Sequence, residues 1–107
     1  MLISKSKPYD AGDIVSFKLV NGEELVARIV NDGGLAWDLE RPTTVAPTAK
    51  GIMLIASLMT SDPDFNLSLS KNHVVFHANT TKEVKDYYIQ TTTGIQPVSA
   101  GVLSGGM

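Results

Sequence analysis

The residues best suited to chemistry in this sequence form a short basic turn, Lys71-Asn72-His73. An ammonium, an amide and an imidazole side by side can bind single-stranded RNA through hydrogen bonds and stacking, without a large basic surface. Lysine and asparagine are also common in ordinary polar turns, so a turn with no ligand is the alternative. We predict an RNA contact at these three residues and keep the plain turn as the competing interpretation.

The two histidines of the chain, His73 and His77, are its candidates for an imidazole metal site. In an extended strand they lie about 13 Å apart, too far to share one ion, and no third ligand is evident. The chain contains no cysteine, which excludes a disulfide framework, a thiolate metal site and a cysteine nucleophile. The sequence therefore predicts no metal and no other cofactor.

Two carboxylates, Asp62 and Asp64, flank Pro63 and suggest acid/base chemistry. Aspartate and proline also favour tight turns, which explains the pair without any reaction. Gly33-Gly34 is not followed by a helix start, as a phosphate loop requires, and no serine has the context of a nucleophile. We expect a protein that is not an enzyme.

The composition limits how this chain could hold nucleic acid. Its 107 residues include nine Lys and Arg against eleven Asp and Glu, for a formal net charge of −2. That balance excludes binding by bulk positive charge and leaves only weak or local recognition. The longest apolar run, Ile52–Met59, is far shorter than the roughly 20 residues of a membrane span. We expect a cytoplasmic protein with no membrane partner.

Alternating apolar residues predict a sheet that would position these side chains. Val15, Phe17 and Leu19 share one face of a first strand, and Asn21-Gly22 suits a type I′ turn into a second. The predicted strands are residues 14–19, 23–31, 35–40, 52–59 and 73–78, and residues 65–70 alternate in the same way with Phe65 facing inward.

Two further predictions concern large apolar residues. Trp37, the single tryptophan, is expected in the core with Phe17 or Phe76. The predicted fourth strand, Ile52–Met59, is apolar on both faces, which is typical of a strand inside a core or at an interface. Because a small isolated sheet cannot cover both faces and the edge of such a strand, it favours self-association.

The apolar period becomes helical after Asn79. Val84, Tyr87 and Tyr88 recur at helical spacing, which predicts a helix over about 81–92 with one tyrosine on the sheet and the other nearer the surface. Residues 1–12 are predicted to be a leading tail, 13–95 one domain, and 96–107 an uncharged tail that contains Gly and Ser. The expected fold is mainly β: a strongly bent, barrel-like five-stranded antiparallel sheet with a C-terminal helix, of the OB-like, SH3-like or Sm-like kind.

Two segments resemble the Sm-like family. Its first motif has apolar and small residues at fixed distances around Asn-Gly, matched here at Leu19, Asn21, Gly22, Leu25, Ala27 and Ile29. Lys71-Asn72-His73 resembles the Lys-His segment of the bacterial RNA-chaperone branch (Hfq), with one extra residue between lysine and histidine. From about Asp13 to Ile95 the chain is similar to small Sm-like proteins of large tailed phages, including phages of cyanobacteria. That likeness is carried by Gly22–Arg28 and by Tyr88–Thr92 with Gly94-Ile95 after it.

This resemblance implies an Sm-like sheet, in the form of an SH3-like open barrel, whose copies assemble into a homo-oligomeric ring. In the family, the fourth strand pairs with the fifth strand of the next subunit. The subunit interface is then expected at six residues of those strands: Ile52, Leu54, Ile55, Leu58, Val74 and Phe76. Single-stranded RNA is implied as a partner at Lys71, Asn72 and His73.

Departures from the family leave two functions open. The predicted helix follows the last strand instead of preceding the first, the uridine-binding Asp and Asn have no clear match, and the Arg-Gly of the second motif is missing. One hypothesis is a phage-type ring that binds single-stranded RNA weakly or locally in the host cytoplasm. The alternative is a structural or protein-interaction ring without RNA, with a protein partner of unknown identity.

Overall fold

The computed structural model describes residues 8–93, which form one antiparallel sheet and one α-helix. The elements in chain order are β1 (Ile14–Leu19), β2 (Glu24–Asp32), β3 (Ala36–Thr48), β4 (Gly51–Ala56), β5 (Leu67–Ser70), a 3₁₀ turn (Lys71–His73), β6 (Val74–Asn79) and α1 (Lys82–Thr93). The predicted mainly β fold with a C-terminal helix is confirmed. The predicted tail at 96–107 and the first seven residues of the leading tail lie outside the described residues.

The sheet has one strand more than predicted. Part of the alternating stretch before the last strand forms β5, which pairs antiparallel with the first half of β3. Phe65, predicted to face inward, is 70% exposed, because it belongs to a turn in which its N–H donates to the carbonyl of Asp62. β4 ends at Ala56 rather than Met59, since the chain leaves the ladder where the Ser57 N–H donates to Pro42.

The predicted hairpin of β1 and β2 is present, with Phe17 opposite Leu25 and Val15 opposite Ala27. Its turn is not of type I′, because Gly22 adopts a positive φ (93°) and Asn21 does not. The connection is longer than two residues, so one left-handed residue is enough to reverse the chain. The side chain of Asn21 accepts the N–H of Glu23 and fixes this turn.

β3 is the longest strand and bends at Arg41-Pro42, where the sequence predicted a break. Arg41 has a positive φ (47°), which is unusual for a residue with a side chain. Before the bend, β3 pairs with β2 and β5, and after it the strand continues against β4. Because of the bend, the same strand pairs with β5 in its first half and with β4 in its second half.

The sheet is open, with the order β4-β3-β2-β1-β6 and with β5 beside β3. β1 and β2 lie in the middle, which explains their burial on both faces. β4 and β6 lie at opposite edges, and β6 has five exposed residues of six. In the described part of the chain, β6 pairs only with β1 and β4 only with β3.

The two faces of the sheet carry separate apolar clusters. On one face, Trp37 packs against Phe17 with 5.1 Å between ring centroids, as predicted, whereas Phe76 is exposed at the edge. Tyr9, from the predicted leading tail, is buried in this cluster. The other members are Val15, Leu25, Ala27, Ile29 and Leu39.

The second cluster lies under α1 and contains Ile14, Val26, Leu54, Tyr87 and Tyr88. Both tyrosines are buried, so the prediction that one would lie nearer the surface is wrong. The hydroxyl of Tyr88 accepts the N–H of Arg28 (3.2 Å) and donates to the carbonyl of Glu40 (2.6 Å), so a deep polar group is satisfied. With 12 residues, α1 is the one α-helix among residues 8–93 and lacks the length and hydropathy of a membrane-crossing helix.

Candidate functional site

The predicted RNA-binding residues form the 3₁₀ turn between β5 and β6. Two backbone hydrogen bonds hold it: Lys71 N–H donates to Leu35, and the carbonyl of His73 accepts the N–H of Val20. The turn is thus attached to both neighbouring loops. Asn72 and His73 are exposed, and Lys71 is partly covered.

The ammonium group of Lys71 forms an ion pair within the fold. Its Nζ lies 2.6 Å from Oδ1 of Asp32, whose side chain is only 6% exposed. The same Nζ lies 4.7 Å from the centroid of the Trp37 ring, a cation–π arrangement. A cation held by a nearly buried carboxylate and an aromatic face contributes little to attracting a phosphate. Of the three predicted contacts, Asn72 and His73 are the two whose polar groups face solvent.

The two histidines have different surroundings. His73 is in the exposed turn, whereas the ring of His77 meets the edge of the first cluster, 5.2 Å from Trp37 and 5.5 Å from Tyr9 between centroids. The hydroxyl of Tyr9 and Nδ1 of His77 are 2.7 Å apart. Burial, with a smaller contribution from the charge of Asp13, raises the pKa of Tyr9. Across residues 8–93, no three His, Asp or Glu side chains are grouped so that they could hold a metal ion.

Asp62 and Asp64, which flank Pro63, belong to a tight turn. Oδ1 of Asp62 accepts the N–H of Asp64 at 2.9 Å, which is a side-chain turn typical of aspartate. Both side chains are exposed. This geometry matches the interpretation of the pair as turn residues.

The predicted interface residues divide into three groups. Ile55 and Phe76 are exposed on β4 and β6, and Leu58 is exposed just after β4. Ile52 and Val74 are half-buried, and Leu54 is buried in the cluster under α1. The exposed members therefore lie at the two opposite edges of the sheet.

A cavity of about 300 Å³ lies between the bend of β3, the segment after β4 and the end of α1. Arg41 lines it and donates from Nη1 to the carbonyl of Thr92, near the carboxyl end of α1. Its Nε is buried and has no hydrogen-bond partner within residues 8–93. Sequence reasoning missed this site, because Arg41-Pro42 was interpreted only as an interruption of a strand.

No protein-family model and no curated protein sequence matches this chain.

Proposed function

We propose that this chain is a self-assembling β-sheet module, whose copies join edge to edge into a homo-oligomeric ring of the Sm-like kind. The observation that carries the proposal is the chemistry of β4 and β6, the edge strands at the two ends of the sheet order. Neither strand contains a Lys, Arg, Asp, Glu or Pro, the residues that usually protect a sheet edge from pairing with another chain.

Apolar side chains accompany these unprotected backbone edges. On β6, the neighbouring residues Val75 and Phe76 are 53% and 70% exposed, and on β4 Ile55 is 42% exposed. The pairing of β6 with β1 has a bulge here that leaves Val75 without a partner residue on β1, so Val75 and Phe76 both present apolar surface at this edge. A strand of another copy added at this edge would cover both side chains and also pair the open backbone groups.

The two edges differ in sequence and lie at opposite ends of the sheet, so pairing between them is head to tail. Contacts of this kind generate a ring when the rotation between copies closes. The resemblance to the Sm-like family supports the same pairing, since its fourth strand joins the last strand of the next subunit. Phe76 also lies beside Lys18 and Glu24 at a shallow surface concavity, which offers a polar rim to the contact.

We favour the ring that serves as a structural or protein-interaction module over the RNA-binding ring. The ion pair of Lys71 with Asp32 and the net charge of −2 both lower the attraction for phosphates. The exposed side chains of Asn72 and His73 favour RNA binding as the second candidate, through local contacts to bases.

The assembly is tested by measuring mass in solution with light scattering and native mass spectrometry. The expected result is a multiple of the 11.5 kDa chain mass that falls toward the monomer in Phe76→Glu. Phe65→Glu is the matched control, because Phe65 is equally exposed at 70% but lies outside both edge strands. A monomeric wild-type protein at micromolar concentration rules out the proposed assembly.

RNA binding is tested separately by fluorescence anisotropy with a labelled single-stranded RNA of mixed sequence. The favoured function predicts no saturable binding near physiological salt and no nucleic acid in the purified protein. Saturable binding by the wild type that is lost in the double variant Asn72→Ala/His73→Ala, with an unchanged oligomeric mass, establishes the second candidate instead.

A further inference from the structure

We propose that the cavity beside Arg41 binds a small organic acid: one carboxylate attached to an apolar body. The site is separate from β6 and from the turn at Lys71, and it meets β4 only at the last residue of that strand, Ala56. It is formed by the bend of β3, the segment between β4 and β5, and the last turn of α1.

The charge of Arg41 selects the class of ligand. Within residues 8–93 no carboxylate lies within 4.0 Å of its guanidinium, since the ion pairs of that region involve Arg28, Lys71 and Lys82. One nitrogen donates to Thr92, and Nε is buried without a partner. A half-buried cation with an unpaired donor is costly, and a carboxylate is the anion that best matches a guanidinium.

Apolar side chains form much of the remaining wall of the cavity. Leu58, Met59 and Phe65 line it and are 51%, 83% and 70% exposed, so three large apolar side chains lie together at one surface. Further apolar wall comes from Pro42, Ala56 and Leu67. A volume of about 300 Å³ is at the lower end of the range for ligand pockets, which fits a small molecule rather than a folded partner.

Asp62 on the cavity wall further restricts the class of ligand. Asp62 lines the same space, and one of its carboxylate oxygens accepts the N–H of Asp64. A second negative charge on the ligand would meet Asp62, so phosphates and dicarboxylates are disfavoured. A single carboxylate can contact Arg41 while its apolar portion covers Leu58 and Met59.

The backbone conformation of Arg41 is energetically unfavourable, and it positions the side chain at the cavity. The positive φ of 47° is a strained conformation for a residue with a Cβ. Strained residues persist where the surrounding structure fixes them, and they are frequent at binding sites. At this bend, the conformation holds the guanidinium between the cavity and the end of α1.

The test is a titration of the full chain followed by nitrogen–proton NMR spectra, with phenylpropanoate as probe. Its uncharged analogue phenylpropanamide and inorganic phosphate are the controls. We expect saturable shifts of the amide signals of Thr91, Thr92 and Thr43 with the carboxylate. The amide should bind roughly tenfold more weakly, because the charge-assisted hydrogen bond is lost. Phosphate should cause no saturable shift of these signals.

Two sets of variants locate the binding. Arg41→Gln should remove the preference for the carboxylate over the amide. If that variant does not fold, Met59→Asp and Met59→Asn form a matched pair at a highly exposed position, and only the aspartate should weaken carboxylate binding, by several-fold. Three results each overturn the proposal: no saturable shift up to about 10 mM probe, equal binding of amide and carboxylate, or equal effects of the two Met59 variants.

Discussion

Two cations at turning points of the chain, Lys71 and Arg41, have opposite electrostatic surroundings. Lys71 contacts the nearly buried carboxylate of Asp32 and the ring of Trp37. Arg41 contacts a backbone carbonyl at the end of α1 and has no carboxylate within ion-pair distance in the described region. From the sequence, Lys71 was expected to face a ligand and Arg41 to interrupt a strand. The counter-charge of Lys71 lies inside the fold, whereas Arg41 has none within ion-pair distance among residues 8–93, a difference that the local motifs do not reveal.

The largest effect is expected from removing the ammonium of Lys71. In Lys71→Met, the carboxylate of Asp32 keeps its low exposure but loses its cation, so we expect a loss of about 2 kcal/mol in the free energy of unfolding. Urea denaturation followed by tryptophan fluorescence measures the change, because Trp37 lies beneath Nζ.

Lys82→Met is the matched control for that variant. The pair of Lys82 with Asp86 is exposed on the surface of α1, with 89% of the lysine side chain accessible, so its removal should change stability far less. Equal effects of the two variants would mean that the Asp32 pair adds nothing beyond a surface contact.

A smaller effect on stability is expected at Arg41. Two substitutions there distinguish the contribution of the side chain from that of the backbone conformation. Arg41→Ala keeps the unfavourable positive φ, whereas glycine adopts it freely, so Arg41→Gly should be more stable than Arg41→Ala by about 1 kcal/mol. Both should be less harmful than Lys71→Met, because neither removes the cation beside a nearly buried carboxylate. Thermal and urea unfolding of the three variants give the order directly, and equal stability of the alanine and glycine forms would show that the bend relaxes.

The smallest expected effect is on the alkaline stability of the bend beneath Arg41. Tyr88 donates to the carbonyl of Glu40, and its burial raises the pKa of its phenol above the ordinary value of 10.0. Below pH 10, the phenol of Tyr88 is protonated in both the folded and the unfolded chain. As the pH rises past it, the unfolded chain ionises first, so stability should fall.

Urea midpoints at neutral pH and above pH 10 check this prediction. Tyr88→Phe should reduce the alkaline fall more than Tyr9→Phe does, since Tyr88 is more deeply buried (1% against 8% exposed). The reverse order would place the main alkaline proton loss at Tyr9, beside His77.

The local parts of the fold could be predicted from the sequence. The alternation from Val15 to Leu19 and the Asn21-Gly22 turn are determined by neighbours a few residues apart, and so is the period that marks α1. Trp37 packs against Phe17, one of its two predicted partners, although β2 lies between their strands. Where a structural element depends only on residues close in sequence, composition and spacing are sufficient to predict it.

The long-range parts could not be predicted in this way. The pair of Lys71 with Asp32 spans 39 residues, and the contact of Tyr9 with His77 spans 68, so both depend on which strands become neighbours. The cavity at Arg41 depends on the path of the segment between β4 and β5, which no periodic pattern specifies. Both tyrosines of α1 are buried in one cluster with Ile14, Val26 and Leu54, which come from three different strands, and spacing along the helix does not determine that contact.

The pairing of β1 with β6 also has a consequence for synthesis of the chain. Among the strands of residues 8–93, β1 is made first and its partner on the outer side, residues 74–79, is made last. Until that segment leaves the ribosome, a nascent β1–β2 hairpin presents an open edge that includes Val15 and Phe17. The sheet is therefore completed only after β6 has emerged, and the time that the ribosome spends on the segment between β1 and β6 sets how long that edge stays uncovered.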